Sequence, residues 1–196
     1  ILVKPISVRD ANGADVLFPP GVWYDILTHQ KAYSGSSSGS RYVDAPLSKI
    51  PVYQRGGSII PRKQRARRST TQMVEDPYTL VVALDNSDNA EGVIYVDDGS
   101  TFNYAHKNEF IYRKFVFNNG KLTSKQLSGS KSVFPGSSAL IEKIAIVGLD
   151  RVPVTAKLSH NNSKSTLTMF VDHTKSLIIK KPNVSISDDW SITLHF

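Results

Sequence analysis

The 196 residues contain no cysteine, so neither a disulfide nor a cysteine-ligated zinc can hold this chain together. They also contain no apolar run long enough to span a bilayer as a helix. Nothing in residues 1 to 76 sustains the 3.6-residue apolar period of an amphipathic helix. No basic stretch followed by an apolar one opens the chain, so no secretory leader is visible. Ile1-Leu2-Val3 already reads as strand, and the chain is expected to be a fragment of a longer polypeptide. The phosphate-binding glycine loop, the dinucleotide fingerprint and the Gly-x-Ser-x-Gly nucleophile elbow are all missing. The five histidines, His29, His106, His160, His173 and His195, are scattered, and none forms a His-x-x-x-His pair. No cofactor and no metal is expected, and nothing points to a membrane.

What is present is β structure. Hydrophobic residues make up 40% of the chain, enough for a core. Ile50 to Pro61 holds two short apolar runs around Gly56-Gly57, bounded by Pro51 and Pro61. Glycines inside a strand pattern mark a bend, and proline is tolerated only near strand ends or sheet edges. The reading is a strand, a kink at Gly56-Gly57, and a second strand that changes sheets. Short strands with turn-rich links fill residues 1 to 76. Asn12-Gly13 is expected to turn between the first two, and Ser34 to Ser40 to form a mobile loop. Asp76-Pro77 is taken as a domain boundary. Beyond it Tyr78–Leu84 and Val93–Asp97 read as strands buried on both faces. Asn119-Gly120 marks a hairpin. Val152, Val154, Ala156 and Leu158 alternate inward, as do Trp190, Ile192, Leu194 and Phe196. The fold class is therefore all-β: two consecutive antiparallel β-sandwich domains, 1–76 and 77–196.

Candidate sites are few, and each has a structural reading that is preferred. Asp97-Asp98-Gly99 offers adjacent carboxylates, but neighbours on a strand face opposite ways. A retaining glycosidase needs two carboxyls about 5 Å apart facing one sugar. A turn closed by an aspartate side chain, with Gly99 at positive φ, is expected instead. Trp23-Tyr24, in Phe18 to Asp25, could stack on sugars, yet opposite facing puts at least one ring in a core or between domains. Arg62 to Arg68 packs five positive charges into seven residues. It lacks interleaved aromatics for base stacking and reads as a solvated or carboxylate-paired loop, not a nucleic-acid site. Asn161-Asn162-Ser163 and Asn183-Val184-Ser185 match the N-glycosylation pattern, which makes Asn161 and Asn183 possible acceptors in a secretory setting.

Three motifs carry a family resemblance, in order along the chain. Phe18 to Asp25, Ile50 to Pro61, and Val96 to Tyr104 with its Asp97-Asp98-Gly99 turn resemble the segments that follow the barrel in family 31 glycoside hydrolases, the retaining α-glucosidases. Pro20 directly precedes Gly21, so the first motif is shorter than the family's. The arginine-rich run and Ser187 to Ile192 are most similar to the endoplasmic-reticulum glucosidase II branch. The resemblance implies proximal and distal C-terminal β-sandwiches behind a catalytic (β/α)8 barrel. It also implies a β-subunit partner, the endoplasmic-reticulum lumen, and N-glycans bearing terminal α-1,3-linked glucose as substrate. The family's catalytic aspartates have no counterpart here, so no catalytic residue is assigned. A large apolar face on residues 1–76, needing cover, is expected. The alternative is an independent carbohydrate-binding module using Trp23, Tyr24 or Tyr104.

Overall fold

The computed structural model describes residues 1–129 and 133–196. Residues 1–55 supply six strands: β1 Leu2–Val3, β2 Gly13–Phe18, β3 Gly21–Asp25, β4 Lys31–Gly35, β5 Gly39–Asp44 and β6 Val52–Arg55. One sheet runs β1-β6-β3-β4, and β2 pairs with β5 in a second. Alternation along β2 sends Val16 and Phe18 inward and Leu17 outward. Val16 and Phe18 meet Trp23, Tyr33 and Tyr53 in a small, largely aromatic core. The Phe18 ring stacks on Tyr33 at 5.3 Å and meets Tyr53 edge-on at 4.8 Å.

Two expectations for this part are corrected. Asn12-Gly13 is not a hairpin turn: β1 pairs with β6 and β2 with β5, and the left-handed residue is Asp10. Ser34 to Ser40 is a corner where the chain passes from one sheet to the other, not a loose loop. The corner closes around Tyr33, whose hydroxyl donates to the Ser37 carbonyl at 2.6 Å. The ring lies so close that a Cβ at Gly39 would meet it at 2.7 Å. Stacking and the hydrogen bond hold that ring in place. Gly39→Ala is therefore expected to destabilise the chain by about 1–3 kcal/mol, the usual cost of overpacking. The urea midpoint should fall with the slope unchanged.

After β6 the chain turns at Gly56-Gly57, Gly57 taking φ +86°, and enters β7 Ser58–Arg62 in a different sheet. A side chain at Gly56 would meet the Leu84 carbonyl at 2.6 Å, so the corner can close only on glycine. Nine strands follow: β8 Tyr78–Ala83, β9 Ala90–Val96, β10 Ile111–Asn118, β11 Lys121–Gly129, β12 Leu140–Val147, β13 Thr155–His160, β14 Ser163–Val171, β15 Leu177–Ser185 and β16 Trp190–His195. The sheet closes in the order β10-β11-β16-β13-β14-β15-β12-β8-β7-β9. Its interior is filled by Leu80, Phe115, Phe117, Ile144, Ile179 and Trp190, among others.

The all-β class holds, but two consecutive antiparallel sandwiches do not describe this arrangement. β7, drawn from the first 76 residues, stands between β8 and β9 and removes the free edge each would otherwise expose. The β12–β8 and β7–β9 neighbours are parallel. The Asn119-Gly120 hairpin is as expected, with φ values of 48° and 69° joining β10 to β11. β8 is buried along its whole length, whereas β9 leaves Val93 and Tyr95 half exposed on its outer face. The alternation expected from Val152 holds only from Thr155 on. Val152 and Val154 precede the strand and are exposed, and Pro153 is buried between them. Phe196 lies past the end of β16 and is half exposed beneath Arg151.

A candidate docking face and the junction behind it

The two parts of the chain are tightly joined. Trp23 and Tyr24 face opposite sides of β3. Trp23 lies in the small core, its indole N–H donating to the Pro19 carbonyl at 2.9 Å. Tyr24 packs with Val22 against Val81, Ala83 and Val147 of the closed sheet. Its hydroxyl donates to the Leu84 carbonyl at 2.9 Å. Burial, with the charges of Asp150, Asp88 and Asp85, pushes the Tyr24 pKa up to about 12. The Gln54 amide donates to the carbonyls of Val81, at 3.1 Å, and Ser58, at 3.2 Å. Neither Trp23 nor Tyr24 is available to a sugar.

Four of the five charges of the basic run are spent on the same fold. Lys63 donates to the carbonyls of Met73 and Val74 at 2.6 and 2.7 Å and lies over the Tyr78 ring. Arg65 meets Glu142 at 2.9 Å. Arg67 grips Asp76 through two hydrogen bonds of 2.9 and 2.7 Å, which hold that carboxyl below its usual range. Arg62 donates to the Ile26 carbonyl at 3.3 Å.

His29, at φ 58°, shares a 3.0 Å hydrogen bond with Ser176 across the junction. Burial, then the Arg62 guanidinium and Lys143, hold its imidazole below the ordinary 6.5, against the pull of Asp172 and Asp25. The unfolded chain takes up this proton near pH 6.5, the folded chain only at lower pH. Stability from His29 is thus complete above pH 6.5 and lost as pH falls through the folded pKa. The urea midpoint should drop between about pH 7 and 5, and His29→Asn, which tolerates positive φ, should flatten that slope. His160 is half-buried beside Asp188 at 3.0 Å, while His106, His173 and His195 are exposed.

Asp97 and Asp98 form the expected turn. Asp97 accepts from the Gly99 N–H at 2.9 Å, and Asp98 from the Ser100 and Thr101 N–H groups and the Thr101 hydroxyl. These bonds, the Thr101 hydroxyl foremost, lower the Asp98 pKa. Gly99 takes φ 66°. Tyr104 sits beside Phe102 in the following turn, with ring centres 6.2 Å apart. Among the described residues no group of three or more His, Asp or Glu could hold a metal ion.

What stands open is a groove of about 670 Å³ on the first part of the chain, lined by Pro5, Ile6, Val8, Pro46, Leu47 and Ile50 and also by Arg9, Asp10, Asn12 and Lys49. Leu47 is fully exposed, Val8 70% and Ile50 61%. Ile1, Val3, Leu17, Leu27 and Tyr42 are also exposed on this part. Scattered single exposures are ordinary, but several exposed apolar side chains gathered in one groove with a charged rim mark a contact surface. The individual residues were not legible as a site in the sequence. Ala45 to Ile50 carries no strand pattern, and its one cue is apolar Leu47 and Ile50 within a proline-bearing loop.

Residues 1–60 match the model described as "Glycosyl hydrolase family 31 C-terminal domain". The chain is 39% identical, over its whole length, to "Neutral alpha-glucosidase AB" of Dictyostelium discoideum, covering 20% of that protein. The chain belongs to glycosyl hydrolase family 31. Within that family, it is 38% identical over 99% of its length to "Probable glucan 1,3-alpha-glucosidase" of Arabidopsis thaliana, covering 22% of it. The family 31 fold superposes on the catalytic subunit in a crystal structure of the endoplasmic-reticulum glucosidase II heterodimer. That subunit is solved with the binding domain of its regulatory subunit. The TM-score is 0.86 at 30% identity, over 98% of this chain and 22% of that one. The chain spans about a fifth of the length of the curated relatives it matches.

Proposed function

We propose that this chain is the non-catalytic C-terminal scaffold of a retaining α-glucosidase of the glucosidase II α-subunit kind. In this reading residues 1–76 form a proximal unit and 77–196 a distal one, with β7 of the first lent to the closed sheet of the second. The groove around Leu47 and Ile50 seats a (β/α)8 barrel that carries the catalytic aspartates. The complete enzyme works in the endoplasmic-reticulum lumen with a β subunit and removes terminal α-1,3-linked glucose from N-glycans.

The single observation that carries this reading is the asymmetry of burial. The closed sheet, with β7 included, encloses one continuous core, whereas residues 1–50 leave Val8, Leu47 and Ile50 exposed around one groove. The identity to α-glucosidases along the whole chain supports the choice of occupant. The test is to express this chain alone, a barrel-bearing segment of a family 31 α-glucosidase alone, and the two together. Release of glucose from an α-1,3-linked disaccharide is expected only with both. Hydrolysis by the purified chain, abolished by Asp97→Asn or Asp98→Asn, would overturn the proposal.

A further inference from the structure

The two Asn-x-Ser triplets differ in their place in the fold, and the difference separates them as acceptors. Asn161 and Asn162 form the two-residue tip of the β13–β14 hairpin, at φ 48° and 60°, and His160 and Ser163 close it. Residues 161–166 are all exposed. Val171, at the other end of β14, pairs with Leu177, next to the Ser176 that touches His29. Eight residue steps of strand separate that junction from the tip, about 26 Å. A bulky group at the tip therefore meets neither the junction nor the small unit beyond it.

Asn183 lies within β15, at φ 51°, where the register against β12 slips. Its flanking Pro182 and Val184 are buried. The hydroxyl its triplet needs, on Ser185, is paired with the Ser187 hydroxyl at 2.8 Å and accepts the Ser187 N–H at 3.2 Å. Asn183 itself is exposed, but once β15 pairs, an enzyme can draw out its triplet only by breaking the strand pairing and pulling Pro182 and Val184 from the core. At the tip, Asn161, Asn162 and Ser163 are all exposed, and only the two-residue turn must open for an extended grip; the Ser163 hydroxyl makes one exposed bond, to the His160 carbonyl at 2.8 Å.

We infer that Asn161 is the N-glycan acceptor of this chain and that Asn183 is not. The inference rests on the luminal reading above. The donor is a polyisoprenyl-pyrophosphate oligosaccharide. The Asn161 Nδ2 bonds to the sugar C1 as the C1–O bond to pyrophosphate breaks. One amide proton passes to a base of the transferase, and the lipid pyrophosphate leaves; no electron is transferred.

The experiment has two arms. In the first, the protein from its own cells is digested with peptide N-glycosidase in heavy-oxygen water, and isotope incorporation is mapped by mass spectrometry. In the second, the chain is expressed in eukaryotic cells behind an added secretory signal sequence, and its mobility is compared before and after the same enzyme. The expected result is a one-glycan shift, lost in Asn161→Gln and in Ser163→Ala and kept in Asn183→Gln. Ser163→Ala leaves the acceptor side chain in place, so a folding defect of the first variant does not decide the matter. A shift lost only in Asn183→Gln, a two-glycan shift, or no shift in the second arm would each overturn the inference. A glycan at Asn161 in the second arm but none in the first would overturn the luminal reading and leave the acceptor assignment standing.

Discussion

Replacing Arg113 by alanine is expected to lower the unfolding free energy by about 3–5 kcal/mol, the range for emptying a large core site. The side chain is fully buried at the end of the closed sheet. Its Nε donates to the Ser124 hydroxyl at 3.0 Å. One terminal nitrogen donates to the Ser187 carbonyl at 2.7 Å, the other to the Asp188 carbonyl at 2.6 Å and to the Asp189 carboxylate. One guanidinium thus ties β10 to β11 and to the loop that launches β16. Alanine would leave a cavity, strip the Ser187 carbonyl of its donor and leave the Asp188 carbonyl only the Ser124 hydroxyl at 3.5 Å. Lysine would not rescue it, because a single ammonium cannot reach acceptors spread around a planar fork.

The same variant carries a pH signature. Burial raises the Asp189 pKa, but the Arg113 hydrogen bond and the Gln126 N–H outweigh it and the net shift is downward. A depressed carboxyl pKa contributes stability above the unfolded value near 3.8, lost as pH falls through the folded value. Arg113→Ala should therefore flatten the acid limb as well as lower the plateau. Urea midpoints of wild type and variant from about pH 7 to 3 check both. A plateau loss below about 1 kcal/mol, an ordinary surface effect, would show that the loop holds without its anchor.

Arg113 also marks how far the sequence could be read. Alternation along β10 sends Ile111, Phe115 and Phe117 inward, and residue 113 shares their parity. A charged residue on the inward parity of a strand was the available cue. Composition hid it, since Tyr112-Arg113-Lys114 looks like a polar surface stretch. The features that were legible are local ones: the Asn119-Gly120 turn, the Gly56-Gly57 corner, the aspartate-closed turn at Asp97 and Asp98, and the opposite facing of Trp23 and Tyr24. Closure of the ten-strand sheet was not legible, because β7 finds β8 and β9 across some twenty to thirty residues and no local pattern names a strand's partner. Ser34 to Ser40 misled for a related reason. Its composition is that of a flexible linker, while its conformation is set by a ring several residues away in the core. The groove falls in between: its apolar residues are visible in the chain, but only folding brings Val8 beside Leu47 and Ile50.

Leu47→Asp combined with Ile50→Asp is expected to weaken association with a barrel-bearing chain by about a hundredfold or more. Both side chains line the groove and are exposed in this structure. In the isolated chain their carboxylates would stand in water, so unfolding should change by no more than about 0.5 kcal/mol, as for ordinary surface substitutions. Seated against an apolar partner, each carboxylate would lose its hydration, and the cations of the groove, Lys49 and Arg9, already stand beside Asp25 and Asp10. Even about 1.5 kcal/mol of that cost per residue amounts to a hundredfold for the pair, at 1.4 kcal/mol per decade. The mixed Leu47→Met, Ile50→Val variant keeps the groove apolar and should bind within a few fold of wild type. Titration calorimetry against the barrel-bearing segment, with glucose release from an α-1,3-linked disaccharide as a second readout, separates the outcomes. Loss of binding with an unchanged melting curve would place the seam at this groove. Undiminished binding by the double aspartate variant would move it elsewhere on the chain, because no well-packed apolar contact absorbs two unpaired carboxylates without loss.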